Sequence, residues 1–120
     1  MSPQRIQLKR TKGWRMPANT VIVARPGKYG NRYIVNGALT LHVDGELHEV
    51  PDRATAKRLH REELEHWLTL RPDLVTPMLE ALRGRNLACW CPIGEPCHAD
   101  TLLEYANRPM ATAPNAPAAP

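Results

Sequence analysis

Short apolar runs alternate with helical patterns along the chain, and this order predicts an α/β fold. Ile6 and Leu8 alternate with polar neighbours and predict a short first strand. The β-branched run over residues 19–24 predicts a buried strand, and residues 86–91 predict another. Residues 39–43 and 46–50 alternate in polarity around Asp44-Gly45, the dipeptide that favours a tight β-hairpin.

Three segments have the apolar spacing of helices, namely residues 53–70, 73–82 and 100–106. Asp52 can cap the first helix, while Pro77 predicts a late start or a kink in the second. We therefore expect a small, mostly parallel sheet with a β-hairpin insertion and about three helices, and a ligand crevice at the C-terminal ends of the strands. Residues 1–107 are predicted to form one domain, and the proline- and alanine-rich residues 108–120 a disordered tail.

Composition narrows the class of protein. No apolar run approaches the roughly 18 residues of a membrane span, and no apolar segment follows the basic N-terminus as a secretory signal requires. The three cysteines form an odd set, which argues against a disulfide framework. The sequence thus predicts a cytoplasmic protein that does not bind membranes.

Charge is unevenly distributed, although the net value is only +4. Residues 1–43 carry eight lysines and arginines and no acid, and every acid lies in residues 44–104. This asymmetry favours an anionic partner, either a phosphorylated small molecule or a nucleic acid. Cations flank Trp14 in residues 10–15, a pattern that suits single-stranded nucleic acid, although we expect Trp14 to be a core anchor. The dispersed residues His42, His48, His60 and His66 are expected to be solvated.

All three cysteines lie within residues 89–100, beside a histidine and an aspartate. Strand alternation puts Cys89 and Cys91 on one face of the third parallel strand and Trp90 on the other. Cys97 and His98 fall at the start of the last helix, where free amides and the helix dipole favour a thiolate.

Two chemical interpretations of this cluster remain open. In the first, Cys97 is an activated nucleophile with His98 or Asp100 as its acid–base partner. In the second, Cys89, Cys91, Cys97 and His98 bind a structural zinc ion. Three of these residues also have a purely structural interpretation. Asp100 can be an acid that stabilises the first helical turn, and Cys89 and Cys91 can be small buried apolar residues.

A basic loop, residues 25–32, follows the second predicted strand and supplies candidate ligand-binding residues. Its glycines permit close approach of backbone, its cations can clamp phosphate or carboxylate, and its tyrosine can stack on a base. If the two strands are neighbours, this loop opens on the same edge of the sheet as the cysteine loop. The candidates are Arg25, Lys28, Tyr29, Gly30 and Asn31.

Two blocks of sequence resemble an uncharacterised bacterial and phage family, the domain of unknown function 4326. The first is residues 23–31, which carry Arg-x-x-Lys-Tyr-Gly-Asn, and the second is residues 82–91 followed by Pro-Cys-His-Ala-Asp at 96–100. The chain differs from the usual pattern at Arg32-Tyr33 and at Ala99. The resemblance supports the choice of site residues but implies no activity.

These observations favour a domain that binds a nucleotide-like or other phosphorylated small molecule and acts on it through Cys97, His98 and Asp100. The alternative is a non-enzymatic zinc-stabilised module that binds nucleic acid or a protein partner. Whether the chain is an enzyme is left open by the sequence, and zinc is the cofactor that the alternative implies.

Overall fold

The computed structural model describes residues 2–108. Apart from Arg108, the predicted proline- and alanine-rich tail lies outside the described residues. In chain order the elements are β1 (Arg5–Gln7), β2 (Thr20–Ile22), β3 (Thr40–Leu41), β4 (Leu47–His48), α1 (Arg53–Leu70), α2 (Pro72–Leu82), β5 (Asn86–Cys89) and α3 (His98–Ala106).

The main sheet has three parallel strands in the order β1-β5-β2. β5 is the central strand, and its residues Leu87 and Ala88 are fully buried because they are covered on both faces. Register pairs Ala88 with Ile6 on one side and with Ile22 on the other. Because all three strands run the same way, the loops that follow them leave from one edge of the sheet.

The three helices pack on one another, and α3 also contacts β1 and β5. Leu82, Leu87 and Leu102 are the largest fully buried apolar side chains of the core between α2, β5 and α3. Trp14 packs partly buried against this core, as the sequence predicts. α1 begins after Asp52, whose carboxylate accepts a 2.8 Å hydrogen bond from the amide of Thr55.

A two-stranded antiparallel hairpin, β3-β4, lies outside the main sheet. The segments that flank it contribute Tyr33 and Val50 to a second small core with Ala56 and Leu59 of α1. Tyr33 is 1% exposed, and its hydroxyl is 2.7 Å from Nδ1 of His42. Nε2 of His42 is in turn 2.8 Å from a carboxylate oxygen of Glu62 on α1. The prediction that His42 is solvated is therefore wrong, because its ring joins the hairpin to α1; His60 is also partly buried.

The predicted fold class is confirmed, since the described residues contain a small parallel sheet, a hairpin and three helices. The bounds of α1 agree with the sequence pattern, whereas α2 starts at Pro72 and continues through Pro77. The predicted strands are longer than the observed ones, and β5 ends at Cys89. None of the helices within residues 2–108 has the length and apolar character needed to cross a membrane.

Candidate functional site

The basic loop and the cysteine loop meet at the carboxyl edge of the sheet. β2 and β5 are hydrogen-bonded neighbours in parallel register, with Val21 opposite Leu87. The basic loop follows β2, and the cysteine loop joins β5 to α3. The expectation that both loops open on the same edge is therefore confirmed, at the location where α/β sheets bind ligands.

The three cysteine thiols form one cluster, with all Sγ atoms within 4.8 Å of one another. Sγ of Cys89 is 4.0 Å from Sγ of Cys91, which confirms that these two side chains face the same way. Cys97 is the N-cap residue of α3, so the helix brings the third thiol to the other two. Cys89 and Cys97 are buried and Cys91 is partly exposed. The three thiols are close enough to bind one metal ion.

Arg5 holds the cysteine loop through its backbone. Its guanidinium donates hydrogen bonds to the carbonyl oxygens of Cys89 at 3.2 Å and Pro92 at 2.9 Å, and also to that of Cys91. These bonds run from β1 across to the end of β5 and fix the turn that presents the thiols. Sequence reasoning counted Arg5 only among the basic residues, and its position within a strand was the one available signal of a structural role.

His98 lies beside the cluster with a defined ring orientation. Nε2 donates a 2.7 Å hydrogen bond to the carbonyl oxygen of Val23, at the end of β2, and the residue is 5% exposed. This bond leaves Nδ1 as the available nitrogen, 3.8 Å from Sγ of Cys97. Of the four predicted zinc ligands, the structure brings the three cysteines within 4.8 Å of one another, and His98 adjoins that group through Cys97.

Asp100 lies on the outer side of the first turn of α3. Its carboxylate is 3.7 Å from Nζ of Lys57, and its side chain is 41% exposed. The amide of Asp100 donates to the carbonyl oxygen of Cys97, closing the first turn. Asp100 does not line the cavity next to the thiols. The geometry fits its plain role at a helix start, and its acid–base role stays a prediction.

The thiols of Cys89 and Cys97 influence each other's acidity. Contact with the Cys97 thiol lowers the pKa of Cys89, despite the opposing effect of burial. The same contact, together with burial, raises the pKa of Cys97, so the two thiols titrate as one coupled pair. The sequence predicted the thiolate at Cys97 from its place at the start of α3. The activated thiolate at Cys97 stays a prediction.

A cavity of about 370 Å³ opens beside the cluster. The three cysteines and His98 form one side of it, and three cations, Arg25, Arg53 and Lys57, contribute to its lining. Arg53 and Lys57 were not recognised in the sequence, although their spacing of four residues at the start of α1 puts them on one helix face. Trp90 also lines the cavity, which corrects its predicted position on the opposite side, because β5 has already ended at Cys89.

The structure divides the basic loop between two cavities. Arg25 and Asn31 line the cavity with the cysteines, whereas Lys28, Tyr29 and Gly30 line a second cavity of about 500 Å³ beside α1 and α2. The five predicted ligand-binding residues therefore do not form a single group.

Two of these loop residues have structural roles. The buried amide of Asn31 donates to the carbonyl oxygen of Ala56 at 3.0 Å and accepts from the amide of Tyr33 at 2.9 Å, which fastens the loop to α1. Gly30 approaches Arg25 so closely that a Cβ would lie 2.9 Å from the Arg25 backbone. This packing explains the need for glycine there.

Comparison with known proteins found no match among the curated proteins or the solved structures. A family model described as a domain of unknown function (DUF4326) matches residues 6–108. The matched region includes both loops, α1 and the whole cysteine cluster. The resemblance seen in the sequence is thereby confirmed, and the chain belongs to the DUF4326 family.

Proposed function

We propose that this protein binds a nucleotide-like or other phosphorylated small molecule in the cavity at the sheet edge. The observation that carries the proposal is that one cavity is lined both by the cysteine cluster and by Arg25, Arg53 and Lys57. Its volume of about 370 Å³ lies within the range of small-molecule sites. Phosphate oxygens are the natural partners of guanidinium and ammonium groups that converge on such a space.

The cations of the cavity remain available to a ligand. Arg53 is 3.6 Å from Glu95 and Lys57 is 3.7 Å from Asp100, and both carboxylates are about half exposed. Exposed ion pairs of this kind contribute roughly 0–1 kcal/mol, so a phosphate can replace or share them at little cost. Arg25 donates one 2.6 Å hydrogen bond to the carbonyl oxygen of Asn31 and has further N–H donors.

We further propose that the cysteine cluster binds zinc. Tetrahedral zinc–thiolate bonds of about 2.3 Å place sulfur atoms about 3.8 Å apart, close to the 4.0 Å between Cys89 and Cys91. The donor set is soft and largely buried, which suits zinc. His98 would support this site, since a metal-binding histidine characteristically donates its other N–H to a carbonyl, as Nε2 does to Val23.

The fourth zinc position distinguishes two forms of the site. If Nδ1 of His98 occupies it, the site is closed and structural, as in a zinc-stabilised binding module. If the fourth position instead faces the cavity, zinc can act there as a Lewis acid toward a bound ligand. The His98→Ala variant separates the two: it loses zinc in the closed form and retains it in the open form.

Ligand binding is tested by calorimetric titration of the full chain with thymidine monophosphate, thymidine and inorganic phosphate. We expect thymidine monophosphate to bind and thymidine not to bind. The double variant Arg53→Met/Lys57→Met should lower affinity at least tenfold, since it removes two charged contacts. Arg58→Met is the control, because Arg58 is on the same helix but outside the cavity. Equal affinity for thymidine and its monophosphate would contradict the proposal.

Zinc is tested by metal analysis of protein purified without added metal. We expect about one zinc per chain, lost in Cys89→Ser and Cys97→Ser and kept in His66→Ala, whose imidazole lies outside the cavity. Chelation should lower the midpoint of thermal unfolding, because bound metal stabilises the native state only. Metal-free wild-type protein, purified and handled in the reduced state, would exclude the zinc proposal.

A specific contact favours a second candidate, in which Cys97 is a nucleophile and His98 its base, with Asp100 as a further acid–base group. His98 is oriented by Val23 and directs Nδ1 toward Sγ of Cys97 at 3.8 Å, the arrangement of an activated nucleophile. This candidate requires metal-free protein in which iodoacetamide modifies Cys97 rapidly, and His98→Ala should slow that modification. Stoichiometric zinc would exclude it.

A further inference from the structure

The cavity borders an exposed basic segment that the proposed function does not use. Residues 9–15 carry four exposed cations on the surface that follows β1. Across residues 2–108, no carboxylate lies within ion-pair distance of any of the four. They are Lys9, Arg10, Lys12 and Arg15, and we call residues 9–15 the basic segment. Cations without a carboxylate partner are free to contact a polyanion.

Trp90 connects the basic segment to the cavity. Its ring lines the cavity and the residue is 44% exposed, so part of the ring is accessible to a ligand. The guanidinium carbon of Arg10 lies 4.6 Å from the centroid of the Trp90 ring. An aromatic ring with an adjacent cation is the pairing that receives a nucleic-acid base and its phosphate. Trp14, in contrast, is packed against the core.

We infer that the nucleotide-like ligand of the cavity is one unit of a single-stranded nucleic acid, whose chain passes over Trp90 and along the basic segment. This inference rests on the proposed function, because it places one nucleotide in the cavity. The cations of the cavity bind the phosphate of that nucleotide, an adjoining base stacks on Trp90, and the basic segment binds the following phosphates.

The geometry selects a single strand over a duplex. A base enters a cavity or stacks on a side chain only when it is free of its neighbours in a double helix. The distribution of acids agrees with this location, since residues 1–43 contain none and the twelve acids all lie in residues 44–104. A strand that follows the basic segment therefore contacts the part of the chain that does not repel it.

The test compares binding of a fluorescent oligothymidylate of about ten nucleotides with binding of thymidine monophosphate. We expect Lys9→Ala/Lys12→Ala/Arg15→Ala to weaken oligonucleotide binding at least tenfold at low salt. It should also reduce the slope of log affinity against log salt by about two, the value for three lost phosphate contacts. Binding of thymidine monophosphate should not change. The control, Arg58→Ala/Arg61→Ala/Arg71→Ala, removes the same charge outside the basic segment.

Variants of Trp90 test the stacking contact. Trp90→Leu should weaken oligonucleotide binding roughly tenfold and Trp90→Phe should retain most of it, since phenylalanine preserves a stacking surface. Circular dichroism of both variants establishes that they fold.

The outcomes separate the two proposals. Oligonucleotide binding no tighter than mononucleotide binding, or equal losses in the basic-segment and control variants, would overturn the inference and leave the proposed function intact. Oligonucleotide binding that depends on the basic segment, in a protein that does not bind thymidine monophosphate, would overturn the proposed function. It would still support the basic segment as a surface that binds nucleic acid.

Discussion

Arg5 shows how a single charged side chain can shape a site that it does not line. Its guanidinium donates to three carbonyl oxygens: that of Cys89 at the end of β5, and those of Cys91 and Pro92 in the loop that follows. The carbonyls of Cys89 and Pro92 also accept from the amides of Leu8 and Glu95, whereas that of Cys91 relies on Arg5. A planar fork of N–H groups meets several of them at once, which the single ammonium group of lysine does not.

Replacement of Arg5 by methionine should therefore destabilise the protein by about 1–3 kcal/mol, because it leaves the part-buried carbonyl of Cys91 without a donor and removes the second donor of the other two. Arg5→Lys should recover only a fraction of that loss. Urea unfolding measures the free-energy change, and the exposed Arg15→Met is the matched control. A loss in Arg5→Met no larger than in Arg15→Met would contradict this role.

His60 gives the fold a specific dependence on pH. Burial, together with the adjacent His98, lowers the pKa of His60 to about 3 from its ordinary 6.5. The unfolded chain therefore binds a proton that the folded chain does not between these two values. Stability is complete above pH 6.5 and falls as the pH drops toward 3, by on the order of 2–4 kcal/mol.

We expect His60→Leu to flatten this part of the stability–pH profile, since the variant has no imidazole to titrate. Nδ1 of His60 is also buried without a hydrogen-bond partner among residues 2–108, so the substitution removes no bond there. Urea unfolding at a series of pH values measures the effect. Repeating it at high salt is the control, because salt screens the surface ion pairs but not burial. Parallel profiles for the two proteins would contradict the assignment.

At the residue scale, the sequence predicted the cysteine cluster because all three cysteines lie close together in the chain, at the junction of a strand and a helix. It could not identify Arg5, Arg53 or Lys57 as site residues, since their roles depend on which strand lies beside β5 and where α1 packs. The sequence could not show the contact between Cys97 and Cys89 either, because it spans a loop whose path the sequence does not define.

At the scale of elements, α1 borders both cavities and contacts the hairpin and the basic loop. Its first turns contribute Arg53 and Lys57 to the cysteine cavity, and His60 lies beside the second cavity. Glu62 and Glu63 contact the hairpin and the basic loop through His42 and Arg32. A helix that contacts the site on one face and the hairpin on another can hold the loop ends in fixed positions.

The hydrogen-bonded chain from Tyr33 through His42 to Glu62 fastens the hairpin to α1. Burial raises the pKa of Tyr33 to about 12, so its hydroxyl stays protonated and donates to His42. Tyr33→Phe should destabilise the protein by about 1–3 kcal/mol, because it leaves a buried ring nitrogen unpaired. Tyr29→Phe is the control, and thermal unfolding is the measurement. Equal effects of the two substitutions would exclude a stabilising role for the hydrogen bonds that link Tyr33, His42 and Glu62.

The helices were more predictable than the strands. α1 has a capping aspartate and an apolar face of several turns, so its bounds agree with the pattern. The observed strands have two to four residues, too few for alternation to define their ends. α3 begins at His98 rather than Asp100, because Cys97 and not a polar residue serves as its N-cap.

At the scale of the whole molecule, parallel topology brings together residues that are far apart in the sequence. β5 follows the hairpin, α1 and α2 in the sequence, yet it lies between β1 and β2 in the sheet. That order places the acid-free part of the chain, residues 1–43, on both sides of the strand that carries Cys89. The sequence predicted a crevice at the strand ends from general rules, but strand order decides which side chains share it.

The central claim is that the cysteine cluster and the cavity cations form one site. Diffraction from crystals of the full chain grown with thymidine monophosphate, recorded at the zinc absorption edge, tests it most directly. The account predicts an anomalous peak about 2.3 Å from the sulfurs of Cys89, Cys91 and Cys97, with the phosphate in contact with Arg53 and Lys57 in the adjoining cavity. Absence of the peak from the cluster, with the nucleotide bound elsewhere, would contradict it.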